Sequence, residues 1–369
     1  MGEPAPHILD CTLRDGSYAI NFQFTANDTR SIAKALEDAR ISLIEIGHGV
    51  GLGAAEAGFG QAAASDEDYM RAVSGELDQA GWGMFCIPGI AKLHHVELAA
   101  GYGMDFIRIG TNVNDVDDSR PFVEKAKQHG MMVCANYMKS YASPPHIFAE
   151  QVRKSVAFGA DLVYVVDSAG GMTPTDIEHY VSAIREHSDI PIGFHGHDNL
   201  GLAMANSLKA VELGAMVVDA SLQGFGRSGG NTATERLACL LQRLYPQRHY
   251  DLLGLMDAGE EYIRPLIGKG GHSSIDTISG HAQFHSSYMG IIREYSSRYQ
   301  VDPRELIMAV SRRDKVEAAP EMVEAEARSL AATKRQRDLI TTRFGFERYH
   351  GDEQYRFSLL KQKNHEHLS

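Results

Sequence analysis

Between residues 8 and 243 the chain alternates short apolar runs with longer segments whose apolar positions recur every three to four residues. The short runs cover 8–13, 43–47, 84–87, 106–109, 132–135, 162–166, 192–194 and 217–221. Runs of that length, apolar throughout rather than alternating, predict strands buried on both faces. The segments between them read as amphipathic helices. Thr25-Ala26-Asn27-Asp28 supplies capping residues ahead of Ile32, Leu36 and Ala39 at helical spacing, and Thr173-Pro174-Thr175-Asp176 joins an N-cap to a proline in the first turn. The helical pattern over 202–213 stops at Gly214. Eight strands alternating with eight helices in roughly 240 residues predict an α/β fold, the closed parallel (β/α)8 TIM barrel. The competing fold, a doubly wound open sheet, needs a glycine-rich phosphate turn after its first strand. Here that strand runs into Leu13-Arg14-Asp15-Gly16 instead.

After residue 250 the strand pattern stops. Helical stretches are expected over 252–267, 284–299, 303–310 and 321–332. The expected organisation is a barrel catalytic domain over 1–249, a helical C-terminal domain over 250–340 entered through Gly268-Lys269-Gly270-Gly271, and a charged tail over 341–369. The tail histidines His365 and His367 repeat an i, i+2 spacing found in the barrel, but they lie in a poorly packed tail.

Composition narrows the function class. Apolar residues make up 43% of the 369 and charged residues 23%, as in ordinary globular proteins. A formal net charge of −12 argues against a nucleic-acid binder. No apolar run is long enough to span a bilayer, and Met1-Gly2-Glu3-Pro4 does not open a signal peptide. Cys11, Cys86, Cys134 and Cys239 are far apart and form no CxxC pair, so reduced thiols in a cytoplasmic protein are expected.

The polar residues fall where a barrel keeps its active site, at the C-terminal strand ends. Those ends carry Arg14 and Asp15, Glu45 and His48, Arg108, residues 136 to 139, Asp167 and Ser168, His195 and His197, and Gln223. In Ile192-Gly193-Phe194-His195-Gly196-His197, the two histidines project to one face of a strand and can share a divalent metal. The plainer reading is two polar residues leaving a strand for solvent. Strands one and seven flank strand eight in a closed barrel, so Asp15 can converge with both histidines. Two imidazoles and a carboxylate suit Mn2+, Mg2+, Co2+ or Fe2+. Residues 49–55 read as a flexible connector or a lid. Lys139 either reaches an anionic substrate or points into solvent.

Several of these stretches resemble a known superfamily. Ile8-Leu9-Asp10-Cys11-Thr12-Leu13-Arg14-Asp15-Gly16-Ser17, residues 193 to 200, Gly224-Phe225-Gly226-Arg227 and Gly230-Asn231-Thr232-Ala233-Thr234-Glu235 are similar to the metal-dependent TIM-barrel lyases and Claisen-type synthases. That group includes hydroxymethylglutaryl-CoA lyase, isopropylmalate synthase and 4-hydroxy-2-oxovalerate aldolase. Ile44-Glu45-Ile46-Gly47-His48-Gly49, Gly58-Phe59-Gly60 and Val165-Val166-Asp167-Ser168-Ala169-Gly170 resemble the aldolase branch. The resemblance covers the barrel well and the C-terminal region loosely. It implies a pyruvate aldolase that cleaves or forms a 4-hydroxy-2-oxo acid, yielding pyruvate and an aldehyde through an enolate stabilised by a divalent metal, Mn2+ first.

The resemblance also implies roles. Asp15, His195 and His197 bind the metal, with Asn231 a further ligand in the lyase branch. Arg14 faces the developing enolate oxygen, Ser168 the substrate carboxylate, and Glu45 and His48 join the substrate-binding set. Two departures bear on the base. Tyr18 stands where the aldolases carry a histidine, and Gly280-His281-Ala282-Gln283-Phe284-His285-Ser286-Ser287-Tyr288 carries two histidines where they carry tyrosines. Tyr18 is a catalytic base near neutral pH only if Arg14 and the metal lower its phenol pKa; otherwise His281 or His285 takes the base role over the barrel mouth, or the pocket is reshaped for another substrate and these histidines line it. The alternatives are a condensing enzyme or acyl-CoA lyase of the same superfamily, for which no acyl-CoA motif is present, and a non-catalytic barrel that binds a dehydrogenase. Family aldolases bind an aldehyde dehydrogenase through the C-terminal region, so such a partner and a homo-oligomer are expected.

Overall fold

Eight parallel strands pair in chain order and close on themselves: β1 (His7–Asp10), β2 (Leu43–Ile46), β3 (Gly81–Cys86), β4 (Phe106–Asn112), β5 (Met132–Met138), β6 (Leu162–Asp167), β7 (Ile192–Gly196) and β8 (Val217–Ala220), with β8 returning to β1. This is the expected TIM barrel, and it is seen in a computed structural model that describes residues 5–267 and 274–333, without the side chains at 274, 276, 277 and 281. Several strand lengths differ from the apolar runs, β1, β4 and β5 most clearly. β1 stops early because the Thr12 amide turns back to the Asp10 carboxylate (2.9 Å), sending the chain into a 3-10 turn over Gly16–Ile20. β4 and β5 run on because their ladder continues through Gly110, Thr111 and Asn112 opposite Asn136, Tyr137 and Met138. Polarity there belongs to side chains facing the cleft, while the backbone pairing is indifferent to it.

Alternate strand residues point into the barrel. There Leu9, Cys11, Phe106, Cys134, Leu162, Tyr164, Val166 and Val217 form an apolar plug separate from the strand–helix core. Phe106 and Tyr164 fit because glycines face them: a Cβ on Gly83 would lie 2.4 Å from the Phe106 ring, and one on Gly193 2.6 Å from the Tyr164 ring. Large and small side chains thus fill the taper together. Above the plug the inward positions turn charged, and that layer floors the site described below.

The barrel helices are α1 (Ala26–Asp38), α2 (Asp66–Val73), α3 (Leu93–Gly101), α4 (Arg120–Gln128), α5 (Pro145–Phe158), α6 (Pro174–Arg185), α7 (Ala203–Glu212) and α8 (Thr234–Leu244). Reciprocal capping boxes start α1 (Thr25 with Asp28), α2 (Ser65 with Asp68) and α6 (Thr173 with Asp176). The stretch over 252–267, expected as one helix, is broken into α9 (Leu252–Ala258), a π turn (Gly259–Ile263) and a 3-10 turn (Arg264–Leu266). At the break Gly259 lies so close to Glu235 that a Cβ would meet Oε1 at 2.2 Å, and Pro265 removes a helical donor further on.

Packing also changes hands later than residue 250. Leu255, Ala258 and Ile263 belong to the barrel core, whereas a second core begins at Ile275. That second core joins α10 (Ser274–Ala282), α11 (Met289–Tyr299), α12 (Pro303–Arg313) and α13 (Pro320–Thr333) through Phe284, Ile292, Leu306, Val310 and Val323. Sequence reading missed α10, whose Ser- and Gly-rich run resembles a loop. The unit sits on the barrel mouth at close range: a Cβ on Gly171 would meet the Gly280 carbonyl at 2.3 Å, and one on Gly280 would meet Leu200 at 2.8 Å. The expected linker glycines at 268–271 and the charged tail lie outside the described residues. No helix among the described residues is long and apolar enough to cross a membrane.

Candidate active site and metal centre

His195 near the end of β7 and His197 just past it share the inward face, and the turn after β1 carries Asp15 up to meet them. One ligand atom from each of the three lies within 4.8 Å of the others, and all three residues are buried. Each imidazole is held by its far nitrogen. His195 Nδ1 pairs with Asp219 Oδ2 (2.7 Å) and His197 Nδ1 with the Gly230 carbonyl (3.2 Å). These bonds place the ring proton on Nδ1 and leave Nε2 as a lone pair toward the cluster, the arrangement that metal-ligating histidines use. Burial lowers the His197 pKa to about 4, so the ring is neutral at pH 7.

Asp15 is held from three sides: by Arg14 Nη1 on Oδ1 (2.7 Å), and by Asn231 Nδ2 (2.8 Å) and the Arg227 amide (3.2 Å) on Oδ2. Burial opposes its charge, but Arg14, then His197, His195 and Arg227, hold its pKa well below the usual carboxylate range. Asn231 Oδ1 is buried with no partner among the described residues. A buried acceptor left unpaired is costly, and a cation beside Asp15 would satisfy it.

Beneath the cluster a buried ionic chain crosses the barrel. Arg14 Nε donates to Glu45 Oε2 (2.8 Å), Arg108 Nη1 donates to the same oxygen (2.7 Å), and Arg108 Nη2 donates to Asp219, the residue that holds His195. The guanidiniums of Arg14 and Arg108 thus tie Asp15, Glu45 and Asp219 into one buried frame beneath the two histidines. The residues present therefore fit a divalent metal.

The cluster opens into a cleft of about 950 Å³, its solvent mouth included, lined by Arg14, Asp15, Tyr18, Ser168, His195, His197, Arg227 and His285 together with Phe85, Ile87, Thr111, Asn112 and Tyr288. The Arg227 guanidinium lies 3.7 Å over the Tyr18 ring and reaches His285 Nε2 at 3.3 Å. On its other side His285 Nδ1 lies 2.5 Å from Ser287 Oγ and 3.2 Å from the Ser287 amide nitrogen. Burial, then Arg227 and Lys139, hold the His285 pKa well below that of a free imidazole.

A family model described as HMGL-like matches residues 5–261. The chain belongs to the HMGL-like family. It is 36% identical over 330 residues to 4-hydroxy-2-oxovalerate aldolase of Carboxydothermus hydrogenoformans, covering 89% of this chain and 98% of that one. It is 37% identical over 327 residues to 4-hydroxy-2-oxovalerate aldolase 2 of Rhodococcus jostii, covering 88% and 95%. The carboxyl transferase domain (Y628A) of Rhizobium etli pyruvate carboxylase, solved with pyruvate, superposes with a TM-score of 0.72 at 17% identity, covering 90% of this chain and 62% of that one, a likeness of fold.

In this HMGL-like chain some expected site residues stand elsewhere. Glu45 does not line the cleft; it is fully buried behind Arg14 and Arg108, where two guanidiniums occupy it. His48 is stacked on Phe22 (3.9 Å), takes the Val50 amide on Nδ1 (3.1 Å) and lies behind the wall rather than in the cleft. Residues 49–55 are no lid: Val50, Leu52 and Ala54 are buried, and Leu52 bonds to the Phe85 carbonyl. Lys139 neither lines the cleft nor meets solvent. The Asp167 carboxylate accepts the Gly171 and Met172 amides and so fastens the loop above β6. The His281 side chain lies outside the described residues. Two contributors went unread, Asp219 and Arg227. Asp219 had a signal, a carboxylate inside the apolar run 217–221 that demands a buried partner.

Proposed function

We propose that the chain is a divalent-metal-dependent carbon–carbon lyase that cleaves, or forms, 4-hydroxy-2-oxo acids to give pyruvate and an aldehyde. The observation that carries this reading is the convergence of Asp15, His195 and His197 on the floor of the cleft, with both rings turned to present Nε2. The two aldolase relatives support the substrate class. When bound, a divalent metal, Mn2+ ahead of Mg2+, Co2+ or Fe2+, supplies Lewis acidity at the 2-oxo group.

The chain's own residues supply the rest. Arg14 is fixed by Glu45 and Asp15 and presents permanent positive charge where the enolate oxygen develops. Ser168 Oγ accepts the Lys139 amide (3.0 Å), which leaves its own proton for the substrate carboxylate. His285 takes the base role. It faces the cleft as a neutral ring: with its own proton on Nδ1, directed at Ser287 Oγ, the accepting lone pair is on Nε2, and the Arg227 guanidinium beside that nitrogen turns to the substrate as it binds. His285 accepts the 4-hydroxyl proton, the C3–C4 pair moves to C3 and on to the C2 oxygen, and the aldehyde leaves. The proton returns to C3 to give pyruvate. Tyr18, pinned under Arg227, shapes the wall beside the reacting carbons. An aldehyde dehydrogenase seated on the helical unit would collect the released aldehyde in the cytoplasm, and a homo-oligomer fits the same account.

The test is pyruvate release from 4-hydroxy-2-oxopentanoate, followed with lactate dehydrogenase. Turnover should need added Mn2+ and stop with chelator. His285→Asn should lower kcat by about 10²- to 10⁴-fold while Mn2+ affinity is retained. Full turnover in that variant removes His285 from the base role. No pyruvate from any 4-hydroxy-2-oxo acid, with Mn2+ bound, overturns the aldolase reading.

A further inference from the structure

Lys139 follows the last residue of β5 in the left-handed backbone region, at φ 59° and ψ 44°. A side chain is disfavoured there, so its contacts hold it. Its amide bonds to Ser168 Oγ, and its side chain rises into the helical unit, 1% exposed. Nζ donates to the Val316 carbonyl at 2.6 Å and lies 3.3 Å from the Tyr288 hydroxyl. Tyr288 donates to the same carbonyl at 2.9 Å. One carbonyl, in the connection between α12 and α13, thus gathers a barrel lysine and a tyrosine of the helical unit. Tyr288 and, three residues before it, His285 line the cleft. The amine is directed away from the reacting groups, so it serves neither as a Schiff-base nucleophile nor as a substrate contact.

We propose that Lys139 is a positioning residue: it clasps the helical unit to the end of β5 and so sets the place of His285 and Tyr288 over the cleft. Loss of the clasp leaves the Gly171–Gly280 contact as a pivot and frees the far edge of the unit near Val316. The charged groups around Nζ are Glu317 and Asp314 from that same edge, Asp115 beyond β4, Arg227 beyond β8, and His285 beneath. Burial outweighs the carboxylates and brings the amine's pKa down to about 7. A lysine released to water titrates near about 10.4. Between those values the released form binds a proton that the clasped form lacks, so clasping strengthens as pH rises through this window and is weakest below it. The inference rests on the proposed function only for its effect on turnover.

The test is hydrogen exchange of the Mn2+-loaded full chain, with Lys139→Met beside the native protein. Exchange across 286–318 should quicken by about tenfold or more in the variant while β1 and β7 keep their protection. Mn2+ affinity should be unchanged, and kcat should fall more than KM rises. Lys139→Cys treated with bromoethylamine, which rebuilds a lysine-like side chain, should recover slow exchange, with equally treated native protein as control. In the native protein, protection of 286–318, corrected for intrinsic rates, should grow from pH 7 to pH 9, and Lys139→Met should lack that growth. Unchanged exchange in the variant, loss of protection spread equally over the barrel, or a flat native pH series would each overturn the clasp. The native pH series needs no variant and decides the matter if Lys139→Met does not fold. A clasp seen by exchange in a protein that releases no pyruvate would keep this inference and discard the aldolase reading.

Discussion

At the scale of single residues, the site depends on groups that never touch substrate. Asp219 fixes which nitrogen of His195 faces the cluster, and Arg108 holds Asp219 ionised against the cost of burial. Asp219→Asn keeps the shape but lets the ring rotate or change tautomer. Mn2+ affinity should fall by about 10- to 100-fold, measured by titration calorimetry, with the fold retained. Undiminished affinity would mean that His195 is oriented by packing alone. The histidine pair and Asp15 could be picked out from residue types because same-face geometry follows from strand periodicity. Glu45 and His48 misled for the complementary reason: a polar residue at a strand end looks identical in sequence whether it faces the cleft or, like Glu45, is claimed by two arginines, one from the turn after β1 and one from β4.

At the scale of elements, local chemistry sets most boundaries. Capping boxes mark the starts of α1 and α6 where the sequence places them. α1 also reaches beyond itself, because Glu37 Oε1 accepts three successive amides, those of Asp78, Gln79 and Ala80, while Lys34 holds the other oxygen. Burial opposes the charge, yet Lys34 and these amides bring the Glu37 pKa down to about 2. A carboxylate lowered in the fold stabilises it above the unfolded value near 4.5, and that support is lost as pH falls from there through about 2. Glu37→Gln should therefore cost roughly 1–3 kcal/mol at pH 7 and progressively less toward pH 2, read by urea unfolding. A difference constant with pH would refute this role. The break after α9 and the existence of α10 were not legible, because both turn on non-local contacts: Gly259 against Glu235, and Gly280 against Gly171.

At the scale of the whole molecule, the barrel supplies the Asp15, His195 and His197 cluster and Arg14, and the helical unit supplies His285 and Tyr288. The barrel was readable because apolar periodicity alone specifies eight buried strands. The seating of the second unit was not, since glycine-to-glycine contact and one buried lysine leave no periodic trace. Lys139 looked like a solvent or substrate lysine for that reason. The central claim is that this composite cleft generates the enolate of pyruvate. Proton NMR of pyruvate in D2O, with the protein and with or without Mn2+, tests it without an aldehyde. The expected result is Mn2+-dependent loss of the methyl signal, abolished by chelator. A methyl signal that persists with Mn2+ demonstrably bound would contradict it.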